Sequence, residues 1–99
     1  QPDEALSLAA RAFKLLPSNG TADTVGWIYH LLKNDESARS YMEIVLASPA
    51  STDMYVHAAT VFAELKDWTK AKAALDAAEK QNPAARDRAD VKALRAVIK

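Results

Sequence analysis

The stretch DTVGWIYHLLKNDESARSYMEIVLASP, residues 23–49, recurs in outline one period later in the same chain. Setting Ala38 against Ala71 aligns Val25-Gly26 with Ala58-Ala59, Tyr29 with Phe62, Met42 with Leu75 and Val45 with Ala78, each 33 residues on. The same step backwards puts Ala38 on Ala5, Met42 on Ala9 and Val45 on Ala12. Small and apolar residues hold matching places, and a proline closes each unit: Pro17, Pro49 and Pro83. A fixed period of this length signals units that cannot bury their apolar faces alone and must stack.

Within the stretch, Val25, Ile28, Tyr29 and Leu32 recur at i, i+3, i+4 and i+7, which predicts one buried face of a helix over about 21–33. Gly26 in that helix costs roughly 1 kcal/mol against alanine, so we expect a neighbouring helix to approach closely there. Asn19 or Thr21 is the expected cap. Asp35 can cap the next helix, whose core side is Ala38, Tyr41, Met42 and Val45. Upstream, the polar side chains keep to the stripe Glu4, Ser7, Arg11 and Lys14, and a helix so broadly apolar expects neighbours on more than one side. Downstream, Tyr55, Ala58, Ala59, Phe62 and Leu65 predict a fourth helix capped by Ser51 or Thr52. Ala71, Ala74, Leu75 and Ala78 predict a fifth, and Val91, Leu94, Val97 and Ile98 a last one from about Arg86. The expected fold is all-α, with about six helices joined by short loops, each antiparallel to the next.

Bulk chemistry narrows the function classes. The 99 residues fit one domain, and 13 basic residues balance 13 acidic ones, so no global field attracts nucleic acid or an anionic membrane. The densest basic stretch, Lys66 to Lys80, is broken by Asp67, Asp76 and Glu79 and reads as a solvated outer face. No cysteine is present, which excludes disulfides and thiol chemistry. There is no apolar run near 18 residues and no signal-peptide pattern, so direct membrane insertion is not expected. Glycine-rich phosphate loops, His-Glu-x-x-His and Gly-x-Ser-x-Gly are absent, and the expectation is no enzyme and no cofactor.

These residues resemble the tetratricopeptide repeat (TPR) family. The family pattern combines a Trp, a Leu-Gly, an aromatic, an alanine, a Phe, an alanine and a proline across about 34 residues. Val25-Gly26, Tyr29, Ala38, Met42 and Pro49 stand in those places, and Tyr55, Ala58-Ala59, Phe62, Ala71, Leu75, Ala78 and Pro83 do so in the next unit. Lys33 departs from the glycine that the family favours between its helices. The resemblance implies a single TPR domain over 1–99, stacked into a right-handed superhelix. It consists of a half repeat over 1–17, repeats over about 19–50 and 52–84, and a following or capping helix over about 86–99. The chain opens inside a unit, so we expect it to be a piece of something longer that self-associates, through the free face of its first helix or by exchanging helices between copies.

In that family the first helix of each pair lines the inner groove. Opposite the buried set of the second helix, Asp23, Trp27, His30 and Asn34 are spaced i, i+4, i+7 and i+11, with Leu31 beside them. One repeat on, Val56, Thr60, Ala63 and Asp67 follow, flanked by Asp53, His57 and Glu64. Trp27 is the expected anchor for a bound segment, since interfaces are enriched in tryptophan; the competing reading is that it finishes the core. His30 and His57 with Asp23 or Asp53 suggest a metal site only weakly, and solvated groups are the plainer reading. Asp23 and Asp53 are also explained by the helix macrodipole.

The lysine, arginine and asparagine clamp by which some TPR proteins hold a chaperone tail would fall on Asp23, Trp27, Asp53 and His57, so the resemblance argues against that ligand. The Asp-Thr-Val-Gly-Trp run is similar to a variant common in bacterial multi-repeat TPR proteins, including ones associated with polysaccharide export and envelope assembly. The expected function is a protein-interaction module or scaffold that takes a protein or peptide in the groove. The alternative is a structural spacer whose repeats extend a longer superhelix.

Overall fold

The expected helices form because apolar stripes at helical spacing are bounded by breaking turns, and in α2 to α5 by a capping side chain as well. The computed structural model describes residues 2–99; Gln1, which the half repeat included, lies outside the described residues. The helices are α1 (Pro2–Leu15), α2 (Asn19–Leu31), α3 (Asp35–Leu46), α4 (Thr52–Glu64), α5 (Trp68–Gln81) and α6 (Ala89–Val97). A 3-10 helix, Pro83–Asp87, precedes α6. No strand occurs among the described residues, so the fold is all-α with six α-helices.

The caps refine the expectation. Ser18, not Asn19 or Thr21, caps α2, its hydroxyl accepting the Thr21 N–H at 3.1 Å while the Thr21 hydroxyl accepts the Ser18 N–H at 3.0 Å. Asn34, not Asp35, caps α3, and Ser51 caps α4 as expected. The reason is geometric: the capping side chain must reach back to the third helical N–H from a non-helical backbone, which fits one residue only. The last helix starts later than about Arg86, because Pro83 and the Asn82 cap hold a 3-10 turn there first.

The period is visible in the backbone itself. At the end of α2, the Lys33 N–H donates to His30 O and the Asn34 N–H to Tyr29 O, both at 2.9 Å. At the end of α4, 33 residues on, Lys66 donates to Ala63 O at 3.0 Å and Asp67 to Phe62 O at 2.9 Å. Both turns are Schellman closures, with Lys33 (φ 64°) and Lys66 (φ 60°) in the left-handed region. Polar contacts between neighbouring units recur at the same step: Asn19 reaches Ser48 at 3.3 Å, and Thr52 reaches Gln81 at 2.7 Å.

Packing follows the pairing. α2 with α3 and α4 with α5 are the closest pairs, α1 lies on α2, α3 on α4, and α4 touches both α2 and α6. Ala22, Ala38, Met42, Val45, Phe62 and Leu75 are fully buried in one core with Ala71, Ala74 and Ala78. Val25 is buried, whereas Ile28, Tyr29, Leu32, Tyr41, Tyr55 and Leu65 are half-buried. Val97, expected on the buried side of the last helix, is 53% exposed. Gly26 permits the close approach expected of it: a Cβ there would lie 2.9 Å from Met42 Cε and 3.2 Å from Tyr41 Cβ. The whole spans 34 × 24 × 21 Å, with α2 in contact with α4.

Candidate functional site

α2 and α4 lie adjacent, and the side chains expected to line a binding face divide between two places along α4. At the junction with α2, the ring of His57 stacks on Trp27 with centroids 4.0 Å apart and planes at 18°. His30, one turn along α2, lies against the same indole at 4.7 Å. Each imidazole is fixed from behind by a carboxylate. His57 Nδ1 is 3.0 Å from Asp23 Oδ1 and 3.1 Å from Oδ2, and His30 Nδ1 is 2.6 Å from Asp35 Oδ1. A carboxylate can only accept, so each Nδ1 carries its hydrogen and donates. Trp27 is therefore oriented by two anchored rings while remaining only partly buried against the core.

These contacts correct two readings. His30 and His57 are not freely solvated: their side chains are 19% and 29% exposed and hydrogen-bonded. Asp23 does more than meet the macrodipole of α2, because it ties α2 to α4 through His57. Among the described residues no group of three or more His, Cys, Asp or Glu is arranged to hold a metal ion. Neither neighbouring hydroxyl is held by an imidazole, since Thr24 donates to Gly20 O and Thr60 to Val56 O.

The second place is a groove of about 300 Å³ between α4 and α6, lined by Thr60, Ala63, Glu64, Lys66, Trp68, Leu94 and Val97. Thr60 and Glu64 of the expected face line this groove. Val56 does not: it is 2% exposed and belongs to the core that includes Val91, because α6 covers that side of α4. Ala63 is buried as well, at 9%. Asp67 caps α5, accepting the Lys70 N–H at 3.2 Å, and Asn34 caps α3, so both serve turns between helices. Asp53 is exposed and accepts from Arg88 Nη1 at 2.7 Å, which ties the start of α6 to α4. Leu31 stands 63% exposed at the end of α2.

Two contributors were not anticipated. Asp35 faces His30 across the Schellman turn, five residues away, a spacing that no helical periodicity marks. Trp68 follows the α5 cap directly and borders the α4–α6 groove. Its place just after a turn was the only hint.

Charge pairing fixes α6. Arg88 contacts Asp53 and Asp90, and its guanidinium holds the Asp90 carboxyl below the usual aspartate range. Arg95 donates to Glu79 at 2.5 Å and Asp76 at 2.8 Å on α5, and these carboxylates raise its pKa. No helix among the described residues is long and apolar enough to cross a membrane. No family model, no curated protein and no solved structure matches this chain.

Proposed function

We propose that the chain is a tetratricopeptide-like binding module whose α2–α4–α6 side holds a segment of a partner protein, with Trp27 as the anchor. The observation that carries this reading is the mounting of Trp27. A partly exposed indole, braced by two imidazoles that are themselves tied to Asp23 and Asp35, loses little freedom when a ligand covers it. Leu31 and the groove edge at Val97 add apolar contact area on α2 and α6. The step-of-33 recurrence of the Schellman turns and of the Asn19–Ser48 and Thr52–Gln81 contacts supports the repeat reading, and with it a superhelical stack.

One observation favours the spacer alternative. The Trp27–His57–Asp23 contact joins neighbouring units, so the same residues serve as a splint between repeats. Selection of peptides from a displayed random library separates the two readings. The module reading predicts peptides that lose binding at least tenfold to Trp27→Ala while Leu31→Ser weakens them further. For a half-buried tryptophan the fold should lose about half the 3–5 kcal/mol of a fully buried one. Selected peptides that bind Trp27→Ala unchanged would favour the spacer.

A further inference from the structure

The groove between α4 and α6 has a counterpart one repeat earlier, and what fills the first is missing from the second. One step of 33 back carries Thr60, Ala63 and Trp68 of its lining onto Trp27, His30 and Asp35. In that earlier unit the Trp27 and His30 rings lie against each other at 4.7 Å, and Asp35 holds His30 Nδ1 at 2.6 Å. In the later unit a hydroxyl and a methyl stand where the two rings were. Thr60 turns its hydroxyl onto Val56 O at 2.8 Å, and Ala63 lies buried in the lining. Both α5 and α6 pack on α4 around this place, so the opening of about 300 Å³ traces to the lost rings.

The lining defines what fits there. Trp68 supplies a flat aromatic wall, and Leu94 and Val97 an aliphatic one. Glu64 and Lys66 stand exposed beside them, and among the described residues neither enters an ion pair. On the same side of the molecule Asp23, Asp35 and Asp53 are each already paired. A carboxylate without a donor and an ammonium beside apolar walls match a ring with an N–H at its edge. The N–H donates to Glu64, and the ring face takes the Lys66 ammonium and lies against Trp68. An aliphatic side chain would use the walls only, and a phenyl ring would leave Glu64 without a donor. The groove is at the small end of the about 300–1,000 Å³ range of ligand pockets, which suits one side chain. Thr60 follows His57 by three residues on α4, about 4.5 Å of helix rise, so the groove continues the Trp27 surface.

We propose that the α4–α6 groove takes a tryptophan side chain of the partner segment, its ring against Trp68 and its N–H on Glu64. This rests on the binding-module reading of the α2–α4–α6 side, and adds which residue of the segment is selected and where it sits.

Titration of the isotope-labelled 99-residue chain with indole and with N-methylindole, followed by chemical shift, tests the groove without any partner. Indole should move Thr60, Glu64, Leu94 and the Trp68 indole N–H. N-methylindole has no N–H and should bind roughly threefold or more weakly. Glu64→Ala should bring the two probes to equal affinity. Ala63→His puts back the residue of the earlier unit and should weaken indole binding about tenfold, with an unchanged circular dichroism spectrum. Val97→Glu, at an exposed position, is the second such variant if Ala63→His folds poorly. In library-selected peptides, replacing the tryptophan by alanine should likewise cost about tenfold. Indole shifts absent from the groove, equal wild-type binding of both probes, or indole binding unchanged in both variants overturns the proposal. Peptides that need Trp27 yet bind Ala63→His unchanged also overturn it, while leaving the module reading intact. Peptides indifferent to Trp27→Ala sink the module reading itself, and this proposal with it.

Discussion

Lys33 and Lys66 sit in the left-handed region, where a Cβ crowds the following carbonyl and costs about 1–2 kcal/mol. Glycine would relieve that strain but add freedom to the unfolded chain, worth about 0.4–1 kcal/mol in the other direction. Lys33→Gly and Lys66→Gly should therefore each stabilise the fold by roughly 0.5–1 kcal/mol in urea unfolding. The equivalence of the two turns predicts similar gains at both sites. A loss at either would show that its lysine side chain makes a contact worth more than the strain. Trp27, Asp23 and His57 could be named from helical spacing, but their mutual contacts could not. Whether an aromatic on the polar side of a helix meets a histidine on the next depends on rotamers and interhelical distance. Asp35 was hidden for the same reason, since the turn between it and His30 breaks the helical count.

At the scale of elements, Gly26 tests how tightly α2 and α3 are joined. An alanine there gains up to about 1 kcal/mol of helix propensity. Its methyl would displace the Met42 Cε, the end of an unbranched side chain, from 2.9 Å and press on Tyr41 Cβ at 3.2 Å. Gly26→Ala should consequently fall within about 1 kcal/mol of wild type, the two effects offsetting. Gly26→Val adds two more carbons at the same contact and should destabilise by about 1–3 kcal/mol. Equal stability for both variants would mean that the helices are looser than the structure has them. α6 gives a different test. The Arg88 guanidinium lowers the Asp90 pKa in the fold, so this pairing stabilises α6 above the ordinary value of 3.8 and is lost as pH falls below it. Acidification from neutral pH should lower the melting temperature less in Asp90→Asn than in wild type, and an equal drop would remove Asp90 as a cause. The helices themselves were largely legible because each has an apolar stripe, and α2 to α5 also have a capping side chain. Val56 and Val97 were not, because α6 packs directly on α4 and covers Val56, while Val97 at the end of α6 stays exposed.

At the scale of the molecule, α2 and α4 lie against each other, and each packs closely on its own neighbour, α3 and α5. The molecule's two ends differ: α6 exposes Lys92 and ties Arg95 to Glu79 and Asp76 of α5, while α1 exposes Leu8 and Leu15. The central claim is that partner binding belongs to the α2–α4–α6 side and centres on Trp27. Amide and indole chemical-shift mapping of the labelled chain, titrated with a library-selected peptide, tests it most directly. The account predicts the largest shifts at the Trp27 indole N–H, His30, Leu31, His57, Thr60 and Glu64, with little change at Ile44, Lys72 or Lys80 on α3 and α5. Shifts concentrated on α3 and α5, with the Trp27 indole unmoved, would contradict it.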